Sequence, residues 1–130
     1  MVNVYISKSL IPNAGRGMFA NKSIDRNEVI EICPVVIIPR YQVADLKKTA
    51  LNHYYFDWGL DDGIHEAAIC LGFGSLYNHS YEPNASYKLS LEDSTIEFVA
   101  TRDIVADSEI TFDYKAGNPK EANPLWFEVK

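Results

Sequence analysis

Residues 109–114 read EITFDY, and residues 71–85 read LGFGSLYNHSYEPNA. In the first stretch Ile110, Phe112 and Tyr114 alternate with polar neighbours, the period-two pattern of a strand with one buried face. In the second, Asn78-His79-Ser80 read alone is a polar turn capping a short helix. Near the N-terminus residues 13–17 make a turn around Gly15-Arg16-Gly17, and residues 18–20 begin an extended piece.

Strand patterns fill the chain around these stretches. Residues 2–6 read as a first strand. Residues 28–38 contain the β-rich run VIEICPVVII, with Pro34 marking a bulge or an edge position. Residues 54–58 are a short aromatic strand, and residues 60–63 are a turn rich in Asp and Gly. Residues 67–73, 85–91 and 95–101 are further strands, the last two joined by a polar Glu-Asp-Ser turn. Over residues 40–52 the spacing of Tyr41, Val43, Leu46, Ala50 and Leu51 predicts the one helix. The fold class is therefore mainly β, a pattern that periodicity alone assigns equally well to an ordinary small barrel.

With 130 residues, 47% of them hydrophobic and 12% aromatic, the chain fits one packed domain spanning residues 1–130. A domain of this length buries roughly two-thirds of its unfolded surface. No apolar run approaches the ~20 residues of a membrane helix, and the N-terminus shows no secretory signal pattern. Cys33 and Cys70 have no C-x-x-C neighbour and read as reduced, buried small hydrophobes, the other reading being a disulfide or metal pair. These features set an intracellular expectation, with no membrane partner and no metal.

The net charge of −6 argues against direct nucleic-acid binding. Between Thr49 and Tyr87 there is no Lys or Arg, whereas Asp57, Asp61, Asp62, Glu66 and Glu82 all fall there. That window is either a solvated acidic face or a groove that attracts a basic peptide.

Taken together, in this order and at this spacing, the three quoted segments resemble the signature of SET-domain protein lysine methyltransferases. That family carries N-H-S-x-x-P-N and E-[IL]-x-[FY]-D-Y segments, and a cofactor loop of the form G-x-G-x-[FV]-A, matched here by residues 15–20. The likeness spans roughly residues 5–114 and is similar to that of the minimal viral and bacterial members. It implies the SET, or β-clip, fold of several small sheets with one short helix, in which the Asn78 and Asp113-Tyr114 segments pass each other in a knot-like crossing. Residues 40–66 would then be a variable insert forming one wall of the substrate groove.

The resemblance also implies an activity: methyl transfer from S-adenosyl-L-methionine to a lysine side chain of a histone-like or other basic protein tail. Lysine must react as the neutral amine although its free pKa is about 10.4. A narrow aromatic channel beside a cationic cofactor lowers that value, and alignment supplies much of the remaining acceleration. On this reading Arg16, Gly17 and Met18 contact the cofactor through backbone, since glycine permits close approach. Asn78 and His79 bind it as well, through the Asn amide and backbone groups. Tyr114 turns its hydroxyl into the methyl-transfer pore, with Asp113 holding the turn. Phe112 tunes how many methyl groups the pore admits, and its lack of a hydroxyl points to di- or trimethylation. Tyr54 supplies a second pore wall, with Tyr55 as the other candidate, while Tyr77 belongs to the core.

The chain departs from the family in several places. Tyr81 stands where many relatives have Cys after N-H-S. Asn27 and Asp107 replace the usual Gly of two turns, and both residue types tolerate positive φ. The cysteine-rich C-terminal zinc module is missing, so residues 118–130 take over as a lid. Trp126 would stack on the cofactor's adenine with Phe127 beside it, unless this segment merely docks on the core. An isologous homodimer using these two rings is a further expectation. The setting would be the cytoplasm, or a host nucleus for a viral protein. The alternative is a catalytically inactive SET-like peptide-binding module, against which the retained Asn78, His79 and Tyr114 argue. A methyltransferase for a small molecule or another side chain is a third reading.

Overall fold

The computed structural model describes residues 3–59 and 66–114. Among the described residues nine strands form two sheets: β1 (Val4–Lys8), β2 (Arg16–Ala20), β3 (Val29–Ile38), β4 (Tyr55–Trp58), β5 (Glu66–Cys70), β6 (Asn78–His79), β7 (Ala85–Ser90), β8 (Thr95–Ala100) and β9 (Glu109–Phe112). One sheet has the order β1-β2-β9-β6, the other β4-β5-β3-β8-β7. The expected mainly β architecture is present.

β6 was not legible as a strand. It pairs parallel to β9, Asn78 beside Thr111 and His79 beside Phe112. Parallel neighbours need a crossover, and here the β7–β8 hairpin of the other sheet provides it. The two quoted motifs thus lie side by side although the 23 residues 86–108 separate them in the chain.

β3 is an interior strand, which corrects the edge reading of Pro34. It pairs with β8 from Val29 through Pro34 and with β5 from Val35 to Ile38. The residue without an N–H therefore falls where the strand changes partners, and its carbonyl still accepts the Leu71 N–H at 2.9 Å. The bulge lies elsewhere, between Val29 and Glu31.

The turns preceding β3 and β9 survive without glycine, as their residue types predict. Asn27 has φ 72° and Asp107 φ 69°. Ile24 and Ile104, which precede these turns, exchange both backbone hydrogen bonds at 2.8 and 2.7 Å and so tie the entries of β3 and β9 together.

The expected helix over residues 40–52 breaks into three pieces: a 3-10 turn at Arg40–Gln42, a single helical turn α1 at Val43–Leu46, and a second 3-10 turn at Ala50–His53. Its apolar residues do not share a buried stripe. Leu46 is buried, while Tyr41 is 81% and Leu51 43% exposed. Thr49 ends α1 by donating to the Leu46 carbonyl at 2.7 Å and accepting the Leu51 N–H at 3.2 Å. Such local bonding competes with helix continuation.

β8 alternates as expected, burying Ile96, Phe98 and Ala100. They meet Met18, Ile110 and Phe112 from the other sheet in one core. Cys33 and Cys70 are both buried free thiols. Separate in sequence, they are neighbours in space: Cys70 hydrogen-bonding and burial push the Cys33 thiol far up, so it stays protonated. No helix among the described residues is long and apolar enough to cross a membrane.

Candidate active site

Tyr114 follows β9 and is half-buried, its ring packed against the core beside His79 and Phe112. The hydroxyl donates to the Tyr77 carbonyl at 3.0 Å, and the backbone N–H donates to His79 Nδ1 at 3.0 Å. With Nδ1 accepting, the proton of the neutral imidazole sits on Nε2. His79 is itself 5% exposed, and its ring meets Tyr81 and Tyr114 edge-on, at 4.3 and 5.0 Å between centroids. Tyr81 thus packs on His79 where many relatives carry Cys. The histidine side chain serves as a clasp on the Tyr114 backbone, a role that titration arguments from sequence do not suggest. Asp113 Oδ1 lies 3.8 Å from the same Nδ1.

Burial pushes the Tyr114 hydroxyl up to about 12, helped by the Tyr54 and Glu109 charges and opposed by a hydrogen bond from the His79 backbone. At neutral pH it is therefore a phenol, able to donate one hydrogen bond and accept others, and it is not a base. Tyr54 is thus near enough for its charge to act on the Tyr114 hydroxyl. Tyr54 is 38% exposed at the end of the second 3-10 turn. Tyr55 answers instead to burial and to Asp57.

Phe112 is 2% exposed, at the centre of an aromatic group. Its ring lies 5.1 Å from Tyr87, 5.1 Å from Tyr114, 5.6 Å from Phe98 and 5.9 Å from Phe56. Tyr77 is core as expected, stacked on Phe98 at 4.8 Å with its hydroxyl donated to the buried Glu31 at 2.8 Å. Tyr87 and Phe56 went unread in the sequence. Tyr87 donates to the Tyr114 carbonyl at 3.4 Å, and alternation along β7 was its only signal.

The Gly15–Gly17 segment meets Asn78. Asn78 Nδ2 donates to the Arg16 carbonyl and to Glu109 Oε2, both at 2.9 Å. Both amide N–H groups are thereby committed to protein, and the carbonyl oxygen is left to accept. Gly15 has φ 75°, a conformation that favours glycine, and a Cβ there would meet nothing within 4 Å. Gly17 is glycine for a different reason. A Cβ there would overlap the Glu109 carboxylate and come within 2.9 Å of Asn78 Nδ2. Met18 is fully buried, paired with Ile6 on one side and Ile110 on the other, so its side chain belongs to the core.

Glu109 is the site residue that sequence reasoning passed over, and Asn84, legible only as a turn residue, holds more than a turn. Asn84 straddles β9, donating to the Glu109 carbonyl and accepting the Thr111 N–H, each at 2.9 Å. Both lie inside the quoted motifs, but nothing in their spacing shows what they hold. Trp126, Phe127 and the lid of residues 118–130 lie outside the described residues, as do Asp61 and Asp62. Among the described residues no three His, Cys, Asp or Glu side chains gather as a metal site.

Comparison with known proteins agrees with this arrangement. The SET domain family matches residues 15–115. A histone-lysine N-methyltransferase of Schizosaccharomyces pombe, specific for H3 lysine-37, is 30% identical over 115 residues, covering 88% of this chain and 71% of that protein. Human histone-lysine N-methyltransferase SETD2 is 31% identical over 112 residues, which are 82% of this chain but 4% of that protein. Among solved structures, a Plasmodium falciparum protein described as a candidate histone methyltransferase superimposes with a TM-score of 0.63 at 30% identity, over 91% of this chain and 97% of that one. Polycomb Repressive Complex 2 of Chaetomium thermophilum, bound to S-adenosylmethionine, shares the fold with a TM-score of 0.73 at 20% identity, over 94% of this chain and 16% of that one. With the family's match covering most of its length and the motif residues converging at one place, the chain belongs to the SET domain family.

Proposed function

We propose that this chain is an S-adenosylmethionine-dependent protein-lysine N-methyltransferase. The observation that carries the reading is the half-buried Tyr114, its ring 5.1 Å from Phe112 and its hydroxyl donated to the carbonyl of Tyr77, the neighbour of Asn78. The relatives named as histone-lysine methyltransferases support the same conclusion.

The residues present fit the cofactor. Asn78 offers a carbonyl acceptor to an amino group, and open space lies beside Gly15. Glu109 brings a carboxylate that forms no ion pair among the described residues, a setting suited to a cationic ligand. Arg16 and Gly17, at the start of β2, would hold it with Asn78 and the backbone of His79. When bound, the cofactor supplies an electrophilic methyl group on a positive sulfur.

The chain's own residues do the rest. Tyr54, Phe112 and Tyr114 exclude water from the lysine side chain and disfavour its ammonium form by desolvation. The Tyr114 oxygen then accepts from the amine and fixes the direction of its lone pair, an alignment term that can be worth several kcal/mol. Phe112 leaves room for an amine already carrying a methyl group, so dimethyl- or trimethyl-lysine is the product. Asp57, Glu66 and Glu82 are exposed and would draw a basic tail, histone-like or other, toward the groove.

Incubation of the protein with labelled S-adenosylmethionine and core histones, followed by mass spectrometry, tests this directly. Labelled lysine is the expected result. Cofactor binding without any labelled lysine would make the chain a binding module instead.

A further inference from the structure

Beyond the negative charge it offers a cationic ligand, Glu109 opens β9 with a carboxylate that gathers three protein partners, Ser9, Leu10 and Asn78. Ser9 Oγ lies 2.9 and 2.8 Å from its two oxygens, the Leu10 N–H donates to it at 3.0 Å, and Asn78 Nδ2 at 2.9 Å. All are neutral donors, so the negative charge is held by hydrogen bonds alone. Bonds of this charge-assisted kind are about twice as strong as neutral ones.

The two ends of an asparagine amide are nearly the same shape, and their partners decide which way it points. Asn78 faces two acceptors, the Glu109 carboxylate and the Arg16 carbonyl. Its N–H groups must therefore turn toward protein and its oxygen away. Gly17 closes the corner, because any side chain there would displace this pair. Glu109 also contributes to the upward shift of the Tyr114 hydroxyl.

We propose that Glu109 is a positioning residue of the cofactor site, fixing the Asn78 amide so that its carbonyl oxygen faces the amino group of the cofactor's amino-acid end. The inference rests on the methyltransferase reading above and adds to it the residue that orients Asn78. Glu109→Gln keeps the shape but replaces one carboxylate oxygen by an NH2 group that cannot accept from Asn78 Nδ2, the Ser9 hydroxyl or the Leu10 N–H, so that of the two acceptors facing Asn78 the Arg16 carbonyl alone still orients it fully.

Calorimetry on the full chain tests the proposal with two ligands. S-adenosylhomocysteine carries the amino-acid end, and 5′-methylthioadenosine lacks it. Glu109→Gln is expected to weaken the first about tenfold, the scale of one lost hydrogen bond to a charged group, and to leave the second unchanged. In an Asn78→Ala background the same substitution should cost nothing further, since coupled residues are not additive. Equal losses for both ligands, or full additivity, would reduce Glu109 to general structural support and overturn the proposal. If Glu109→Gln does not fold, Glu109→Asp, which keeps the charge but shortens its reach to Asn78, must show the same selective loss. Failure of the wild type to bind S-adenosylhomocysteine would overturn the methyltransferase reading itself. Wild-type binding with an unselective loss in the variants overturns only the role of Glu109.

Discussion

Tyr114 is gripped at both ends by the segment it passes: its hydroxyl donates to the Tyr77 carbonyl at 3.0 Å, and its own N–H is taken by His79 Nδ1 at 3.0 Å. The two bonds flank Asn78 in sequence, so the orientation of the phenol and the position of Asn78 are set by one short strand. An error in β6 would be felt by both.

Tyr114→Phe removes the hydroxyl and keeps the ring contacts with His79 and Phe112. Only one hydrogen bond to a carbonyl is lost, about 1 kcal/mol in stability. Turnover should fall by about 10²-fold or more, on the scale of losing a positioned catalytic group, with cofactor affinity unchanged. Steady-state kinetics with a melting curve check it; wild-type turnover would make Tyr114 a packing residue.

Alkaline titration gives a second handle on the same side chain. Its pKa is 10.0 when unperturbed and about 12 in the folded protein, so above pH 10 the unfolded chain releases this proton first. The unfolded state then binds fewer protons than the native one, and stability falls with rising pH until about pH 12. The loss should approach 2–3 kcal/mol, about 1.4 per unit of pKa, discounted for the partial exposure of the ring. Tyr114→Phe should flatten this fall, and a denaturant series at pH 9 to 12 on both proteins measures it. Identical curves would mean that the hydroxyl is solvated.

Asn78→Ala removes the acceptor offered to the ligand and leaves the Glu109 carboxylate and the Arg16 carbonyl without that donor. S-adenosylhomocysteine affinity should drop about tenfold or more, and the ligand-induced rise in melting temperature should shrink accordingly. Calorimetric affinities equal to wild type would place the cofactor elsewhere.

How far the sequence carried these conclusions depended on the kind of signal. Alternation found β8 because its buried face is continuous, and it found β9 although Thr111 on the opposite face is buried as well. Asn27 and Asp107 could be assigned to positive-φ turns from residue type alone. The helix over residues 40–52 failed because apolar spacing predicts a stripe only if something covers it, and Tyr41 and Leu51 remain exposed. β6 failed because two residues carry no periodicity; its partner is β9, and pairing of that range is a property of the whole fold. The same holds for Glu109 and Asn84. Each is an ordinary polar residue in a motif, and only the folded chain shows what each holds. Asn78, His79 and Tyr114 were singled out because a familiar motif named them, whereas the clasp between the last two was not legible.

The last expectation concerns Phe112 and the number of methyl groups transferred. An amine that already carries methyl groups must rotate to present its lone pair, and a water held by a tyrosine hydroxyl would fill the space that rotation needs. Phe112 offers no such hydroxyl, so dimethyl- or trimethyl-lysine should accumulate at long times. Phe112→Tyr should stop the series at monomethyl-lysine and leave the first transfer nearly unchanged, since the added oxygen alters occupancy more than alignment. Its surroundings set up the opposing outcome. With Phe56, Tyr87 and Phe98 within 6 Å, a hydroxyl pointed among those rings would be buried without a partner, at a cost of about 1–3 kcal/mol. A hydroxyl pointed past Tyr114 into the pore would meet water and cost little. Mass spectra of the products and a melting curve on the same variant separate the two directions. A monomethyl product with a near-native melting temperature is expected, and an unchanged product series with a lowered melting temperature would make Phe112 a core residue alone.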